Sequence, residues 1–298
     1  MQNSRLVRPQ VGFLFLMAFV LQLVTPARAN IGFQTKFEQM PLAMQEQVDR
    51  VFMVYSKKLN QPVGTAYLVY NDGKTTLFST ARHVIMPGAI KTWGDFLTDL
   101  VLLQRASWQN GVNADLKYKS QLKVEELSAL TADTQDWRLS GSAVDVGLIK
   151  AESNSSLPIV SLKNLGTSIQ NKVGSMNKER HFILGYPITY FKDEYGSRIA
   201  TTQLSLSSGD ISYEVSKGEK FVLESTADSR GGNSGSPVFS KDGLLLGILS
   251  GGGKSNGYVQ YPMMNSRIVP IDYLKIHLGN YLMKRKSNIQ TCRRSVEK

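Results

Sequence analysis

Short apolar runs of three to seven residues, each broken by Gly, Asn, Asp or Ser, fill most of this 298-residue chain. Runs at 50–55, 64–70, 75–79, 144–150, 181–185, 220–224, 237–239, 244–249 and 258–261 read as strands. Many short strands with turn signals between them lead to an all-β sandwich or barrel. Asn71-Asp72-Gly73 and Lys241-Asp242-Gly243 are the clearest hairpin turns, because Gly and Asn accept the positive φ that tight turns require. The polar stretch 151–156 reads as the link between two β units, 30–155 and 156–283. A short helix is expected near 41–49. Ile271, Leu274, Leu278, Tyr281 and Leu282 follow helical spacing, which predicts an amphipathic C-terminal helix packed on the second unit. The polar segment 86–142, with a helix expected at 93–105, reads as an insertion decorating the first unit. Residues 284–298 read as a mobile basic tail.

Composition excludes several alternatives. With 42% hydrophobic and 20% charged residues the chain can bury a full core, so disorder is not expected. One cysteine closes no intramolecular disulfide. With only three histidines, a sulfur- or imidazole-rich metal cluster is excluded too, and no cofactor is expected. Cys292 reads as a free or intermolecularly paired thiol. Residues 1–29 have the pattern of a cleavable secretory signal: Arg5 and Arg8, an apolar run at 11–24, then Ala27-Arg28-Ala29. That run of 14 residues falls short of the roughly 20 that span a bilayer, so no stable membrane anchor is expected. The net charge of +11 drops to +8 once Arg5, Arg8 and Arg28 leave with the signal. An exported chain without a disulfide fits a bacterial periplasmic or secreted protein.

The densest chemical signal is Arg230-Gly231-Gly232-Asn233-Ser234-Gly235-Ser236-Pro237. A serine with glycine at −2 and +1 leaves room for a carbonyl to reach the hydroxyl. The backbone N–H groups of Gly232 and Ser234 would then form an oxyanion hole. A serine hydroxyl needs a base beside it, and histidine suits that task near neutral pH. Of the three histidines, His83 directly follows a strand-like run, His181 reads as a polar strand end, and His277 reads as a helix-surface position. Asp145 is a lone acid inside an apolar run, where burial is costly without a partner. It is the best candidate to orient the imidazole, with Asp133 and Asp136 as competitors.

These residues resemble the chymotrypsin-fold, trypsin-like serine proteases of bacterial type. Ser79-Thr80-Ala81-Arg82-His83, Asp145-Val146-Gly147-Leu148-Ile149 and Gly232-Asn233-Ser234-Gly235-Ser236-Pro237 are similar to the family's three motifs, in the family's order. The resemblance implies two antiparallel six-stranded β-barrels with the active site between them. It implies His83, Asp145 and Ser234 as catalytic residues, and it implies that Ser250-Gly251-Gly252 line the substrate backbone. Asp228, six residues before Ser234, matches the pocket acid of members that cut after Arg or Lys. Asn233 stands where animal members carry an acid that binds a newly freed N-terminus, so no zymogen step of that kind is expected.

The expected activity is therefore endoproteolysis through an acyl-enzyme, on protein or peptide substrates. A competing expectation is a catalytically inactive binding module on the same fold, located in the cell envelope. A third is a polyanion-binding envelope protein acting through the basic tail. No specific nucleic-acid partner is expected.

Overall fold

The computed structural model describes residues 34–86, 96–111, 114–130, 145–161, 165, 179–214, 222–252 and 266–296. The expected signal at 1–29, the expected strand at 258–261, Asp133 and Asp136 lie outside these residues.

Sixteen strands and a few helical turns follow one another along the described chain. The first are α1 (Leu42–Gln45), β1 (Val51–Ser56), β2 (Gln61–Asn71), β3 (Thr76–Thr80), α2 (Arg82–Ile85) and β4 (Leu100–Gln104). Then come β5 (Ser107–Gln109), β6 (Asp115–Lys117), β7 (Ser120–Ala129) and β8 (Gly147–Ala151). Next are β9 (Arg180–Gly185), β10 (Thr189–Lys192), β11 (Arg198–Gln203), β12 (Ser205–Glu214) and β13 (Val222–Ser225). The chain closes with β14 (Pro237–Ser240), β15 (Leu245–Gly252), β16 (Ser266–Pro270) and α3 (Ile271–Val296).

Six strands close one barrel in the order β1-β2-β3-β8-β7-β4, and six close another in the order β12-β13-β16-β15-β14-β9. Closure removes the unpaired edges that an open antiparallel sheet would expose. Both expected turns form: Gly73 and Gly243 adopt φ of 85° and 79°, and the Asp72 carboxylate accepts from the Lys74 and Thr75 N–H groups.

Three expectations need correction. Residues 86–142 are not a decoration, because β4 and β7 inside that segment are staves of the first barrel. Their strand signal is weak: the exposed face of β7 carries Gln121, Lys123 and Glu125, so the segment reads as polar while Leu122 fills the barrel. Leu100–Gln104 is likewise a strand and not the end of a helix, while 91–95 lie outside the described residues. The basic tail is also different from expectation, since α3 continues through Val296. No helix among the described residues is long and apolar enough to cross a membrane.

The inserted strands β5 and β6 and the hairpin β10–β11 build a third, four-stranded sheet in the order β10-β11-β5-β6. It joins the two barrels, because β5 and β6 lie between β4 and β7 in sequence, whereas β11 leads directly into β12.

The strands at the seam bury both faces. Phe52, Val54, Ala66 and Leu68 fill the first barrel, where Phe52 meets Phe78 edge-on at 4.9 Å. The alternate residues Val51, Met53, Tyr67 and Val69 join the core that runs into the second barrel, and Tyr67 meets Phe239 edge-on at 5.5 Å. Two-sided burial is why these runs are almost continuously apolar. The helix α3 grips both units: Ile271, Leu274 and Leu278 are buried in that shared core, and the Tyr281 hydroxyl donates to Glu126 Oε2 on β7 at 2.7 Å.

Two histidines expected at polar positions are instead buried. His181 sits inside the second barrel with Nε2 2.6 Å from Ser225 Oγ, and His277 lies on the buried face of α3. Burial pushes both imidazoles from the ordinary 6.5 down to about 4. Between those values the unfolded chain binds more protons than the folded one. The stability these two histidines contribute is therefore full above about pH 6.5 and is lost as the pH falls toward 4. Thermal melts from pH 7.5 to 4 are expected to drop over this window, with a shallower drop in His181→Asn; an unchanged slope would refute the assignment.

The barrels also meet at one glycine. A Cβ on Gly235, which adopts φ of 89°, would stand 2.1 Å from Thr65 O and 2.3 Å from Thr80 Oγ1. At Gly231, by contrast, a Cβ would touch nothing within 4 Å. Urea melts should therefore show Gly235→Ala destabilised by about 2–4 kcal/mol and Gly231→Ala unchanged within about 0.5 kcal/mol.

Candidate active site

His83 stands on α2, the single helical turn that follows β3 across Ala81. Its backbone N–H donates to Asp145 Oδ1 at 2.9 Å, and its ring Nδ1 lies 2.7 Å from Asp145 Oδ2. Two attachments to one carboxylate fix both the place and the tilt of the ring. Because a carboxylate only accepts, the proton sits on Nδ1 and leaves Nε2 as an acceptor. The His83 side chain is 46% exposed and that of Asp145 is 19% exposed, so the ring is open to incoming groups while its anchor is sheltered.

Asp145 stands two residues before β8, whose pairing with β3 brings it beside the helix carrying His83. Burial would raise its carboxyl, but the hydrogen bonds from the His83 ring, the Ser250 hydroxyl and the His83 N–H, together with the attraction of the ring whenever it is protonated, outweigh it. The Asp145 pKa is held below the ordinary carboxylate value. The Ser250 hydroxyl donates to Asp145 Oδ2 at 2.6 Å. Ser250 stands at a bulge, where the β15–β16 register slips between Leu249 and Gly251. Bulges re-aim side chains in this way. The side chain of Ser250 faces the carboxylate, while Gly251 and Gly252 continue the strand opposite Arg267 and Ser266.

Ser234 lies half-buried in the loop between β13 and β14. Its carbonyl accepts from the Thr65 N–H at 2.8 Å, and a Cβ on Gly64 would stand 3.0 Å from that same oxygen and 2.6 Å from the Val84 side chain. A Cβ on Gly235 would stand 2.9 Å from the Ala81 nitrogen. The Ser234–Gly235 peptide thus packs against the strand and turn that carry His83. The structure holds no hydrogen bond between the Ser234 and His83 side chains.

The loop's N–H groups divide into two sets. Those of Asn233, Gly235 and Ser236 donate to Arg230, Leu249 and Asn233 carbonyls at 3.0, 2.7 and 2.9 Å. Those of Gly232 and Ser234 donate to no described protein group. The Gly231 carbonyl accepts from Ile188 N–H at 2.6 Å, and the Gly231–Gly232 peptide is trans, so the Gly232 N–H points away from Ile188. Only glycine fits at 232, where φ is 88° and a Cβ would stand 2.3 Å from Tyr186 O.

Asp228 is half-buried six residues before Ser234. Around it, Ser229 Oγ pairs with Ser266 Oγ at 2.5 Å, and Ser266 Oγ donates to Ala227 O, so the stretch is fastened to β16. Sequence reasoning missed Thr65, whose hydroxyl donates to Gly232 O at 2.8 Å and accepts from Tyr186 N–H at 3.1 Å. Its only signal was the Gly64-Thr65-Ala66 run.

Among solved structures, the HtrA-type protease AlgW with a tripeptide is similar over 80% of this chain and 60% of its own, at 15% identity and a TM-score of 0.47. The chain thus spans about three fifths of that protein. A thermostable serine protease, AL20, from an extremophilic microorganism is similar over 77% of this chain and 95% of its own, at 16% identity and a TM-score of 0.47. The serine endoprotease from Yersinia pestis is similar over 85% and 66%, at 15% identity and a TM-score of 0.44. No curated protein matches. The trypsin-like peptidase domain matches residues 64–248, more than half of the chain, and the chain belongs to that family.

Proposed function

We propose that the chain is a serine endopeptidase acting through an acyl-enzyme. The observation that carries this reading is the doubly attached His83–Asp145 pair beside a serine loop with two uncommitted N–H groups. Ser234 Oγ attacks the peptide carbonyl while His83 Nε2 takes its proton. The N–H groups of Gly232 and Ser234 hold the developing oxyanion, an interaction typically worth about 10²–10³ in rate per donor. His83 then gives its proton to the leaving amine, and a water repeats the sequence to release the acid. Asp145 keeps His83 in the required tautomer and stabilises the imidazolium, and Ser250 keeps Asp145 ionised.

The substrate class is protein or peptide, met after export and cleavage of the signal at 1–29. Asp228 supports a preference for Arg or Lys at the cleaved bond, through a charge-assisted hydrogen bond to the substrate cation. The missing Ser234–His83 hydrogen bond favours a second reading, a catalytically inactive binding module on this fold.

A fluorophosphonate separates the two. Labelling of Ser234 is expected in the mature protein, absent in Ser234→Ala and slowed about 10³–10⁴-fold in Asp145→Asn. No labelling of the folded protein would leave the binding module. On a fluorogenic peptide panel, cleavage after Arg and Lys should dominate and collapse in Asp228→Ser. Dominant cleavage after Glu or small apolar residues would refute the basic preference.

A further inference from the structure

We propose that the free edge of β10 binds the substrate chain on the leaving-group side of the scissile bond, adding it to the four-stranded sheet as a further strand. The inference rests on the peptidase reading above.

β10 ends the sheet order β10-β11-β5-β6, so among the described residues one of its edges carries no strand. The hairpin fixes which groups face that edge. Asp193 N–H donates to Ser197 O at 3.0 Å, and the register runs Lys192↔Arg198, Phe191↔Ile199, Tyr190↔Ala200, Thr189↔Thr201. Hydrogen-bonded and non-bonded pairs alternate along an antiparallel ladder. The N–H and C=O groups of Tyr190 and Lys192 therefore point away from β11.

Ile188 has the same parity, and its outward N–H is the one that donates to Gly231 O. The edge thus begins at the peptide that aims the Gly232 N–H. Tyr190 and Lys192 follow about 7 and 13 Å further along it. The other end of the serine loop is tied to β15, through Gly235 N–H to Leu249 O at 2.7 Å and Leu249 N–H to Ser236 O at 2.8 Å. The loop therefore lies between β15 and the β10 edge. A polypeptide whose acyl side runs along Ser250-Gly251-Gly252 crosses the loop and leaves along β10.

This edge is built for an extended chain. Tyr190 and Phe191 are 54% and 45% exposed, and the Arg198 guanidinium lies 3.9 Å above the Tyr190 ring, which fixes that ring in place. Unpaired backbone groups supply affinity by strand addition, and the alternate side chains sort what is added. The substrate class is then an extended polypeptide with at least four residues beyond the cleaved bond, apolar side chains being preferred against Tyr190.

The test is a pair of peptides built on the principal cleavage site in a casein digest. One ends at the scissile bond in a coumarin amide; the other extends four residues past it and is read by loss of quenching. Wild type should cut the extended peptide with at least tenfold higher kcat/KM. Lys192→Pro removes an outward N–H without breaking the β10–β11 ladder, and proline is tolerated on an edge strand. It should lower kcat/KM for the extended peptide about tenfold, mainly through KM, and that for the coumarin amide less than twofold. Lys192→Ala keeps the N–H and should stay near wild type on the extended peptide. Tyr190→Ala, a change at an exposed side chain, should reproduce the selective loss. Equal rates on both peptides in wild type, or equal losses on both in Lys192→Pro and Tyr190→Ala, overturn this proposal and leave the peptidase reading standing. No cleavage of casein and no labelling of Ser234 overturn both.

Discussion

Thr65 is the point on which the two barrels hang together at the site. Its N–H donates to Ser234 O, its hydroxyl donates to Gly232 O and accepts from Tyr186 N–H, and its carbonyl accepts from the Thr80 hydroxyl. One buried residue on a first-barrel strand thus holds the serine loop, the approach to the third sheet and the strand leading to His83. Such bonds between groups removed from water are modest in net worth, but leaving any one partner unmet is costly. The serine loop is therefore set by a strand of the opposite barrel and not by its own turn alone.

That contact imposes a size limit. Gly64, Gly232 and Gly235 approach Val84, Tyr186 and Thr65 so closely that a methyl group would overlap existing atoms. At Gly232 and Gly235 the left-handed backbone adds a second reason for glycine. The glycines that make the serine motif conspicuous in sequence thus serve two needs. They let a carbonyl approach the hydroxyl, and they let two barrels close on each other.

Much of this was legible in the sequence because the signals were local. The hairpin turns at Gly73 and Gly243, the strands leading to His83 and Asp145, and the serine loop each show within a few residues. What escaped depends on distant partners. β4 and β7 carry polar residues on their outer face and were read as an insertion, although pairing with β1 and β8 makes them barrel staves. His277 has a surface-like helical position but lies against the first barrel. The hydrogen bond from Ser250 to Asp145 also escaped, since nothing in Leu249-Ser250-Gly251 announces a bulge that turns the hydroxyl onto the carboxylate.

The order in which these parts stand along the chain gives the Ser250–Asp145 bond a temporal meaning. His83 and Asp145 lie in the first barrel, whose last strand ends at Ala151. Its strands can pair while the second barrel is still unmade. Ser234 and the hydroxyl that completes the carboxylate's surroundings arrive about a hundred residues later, and α3 closes over both barrels only with the end of the chain. The pair made first holds a histidine and an acid; Ser234, the nucleophile in the reading proposed above, joins it only when the second barrel closes. On that reading the polypeptide carries no assembled hydrolytic centre beside its own unfolded segments until both barrels have formed.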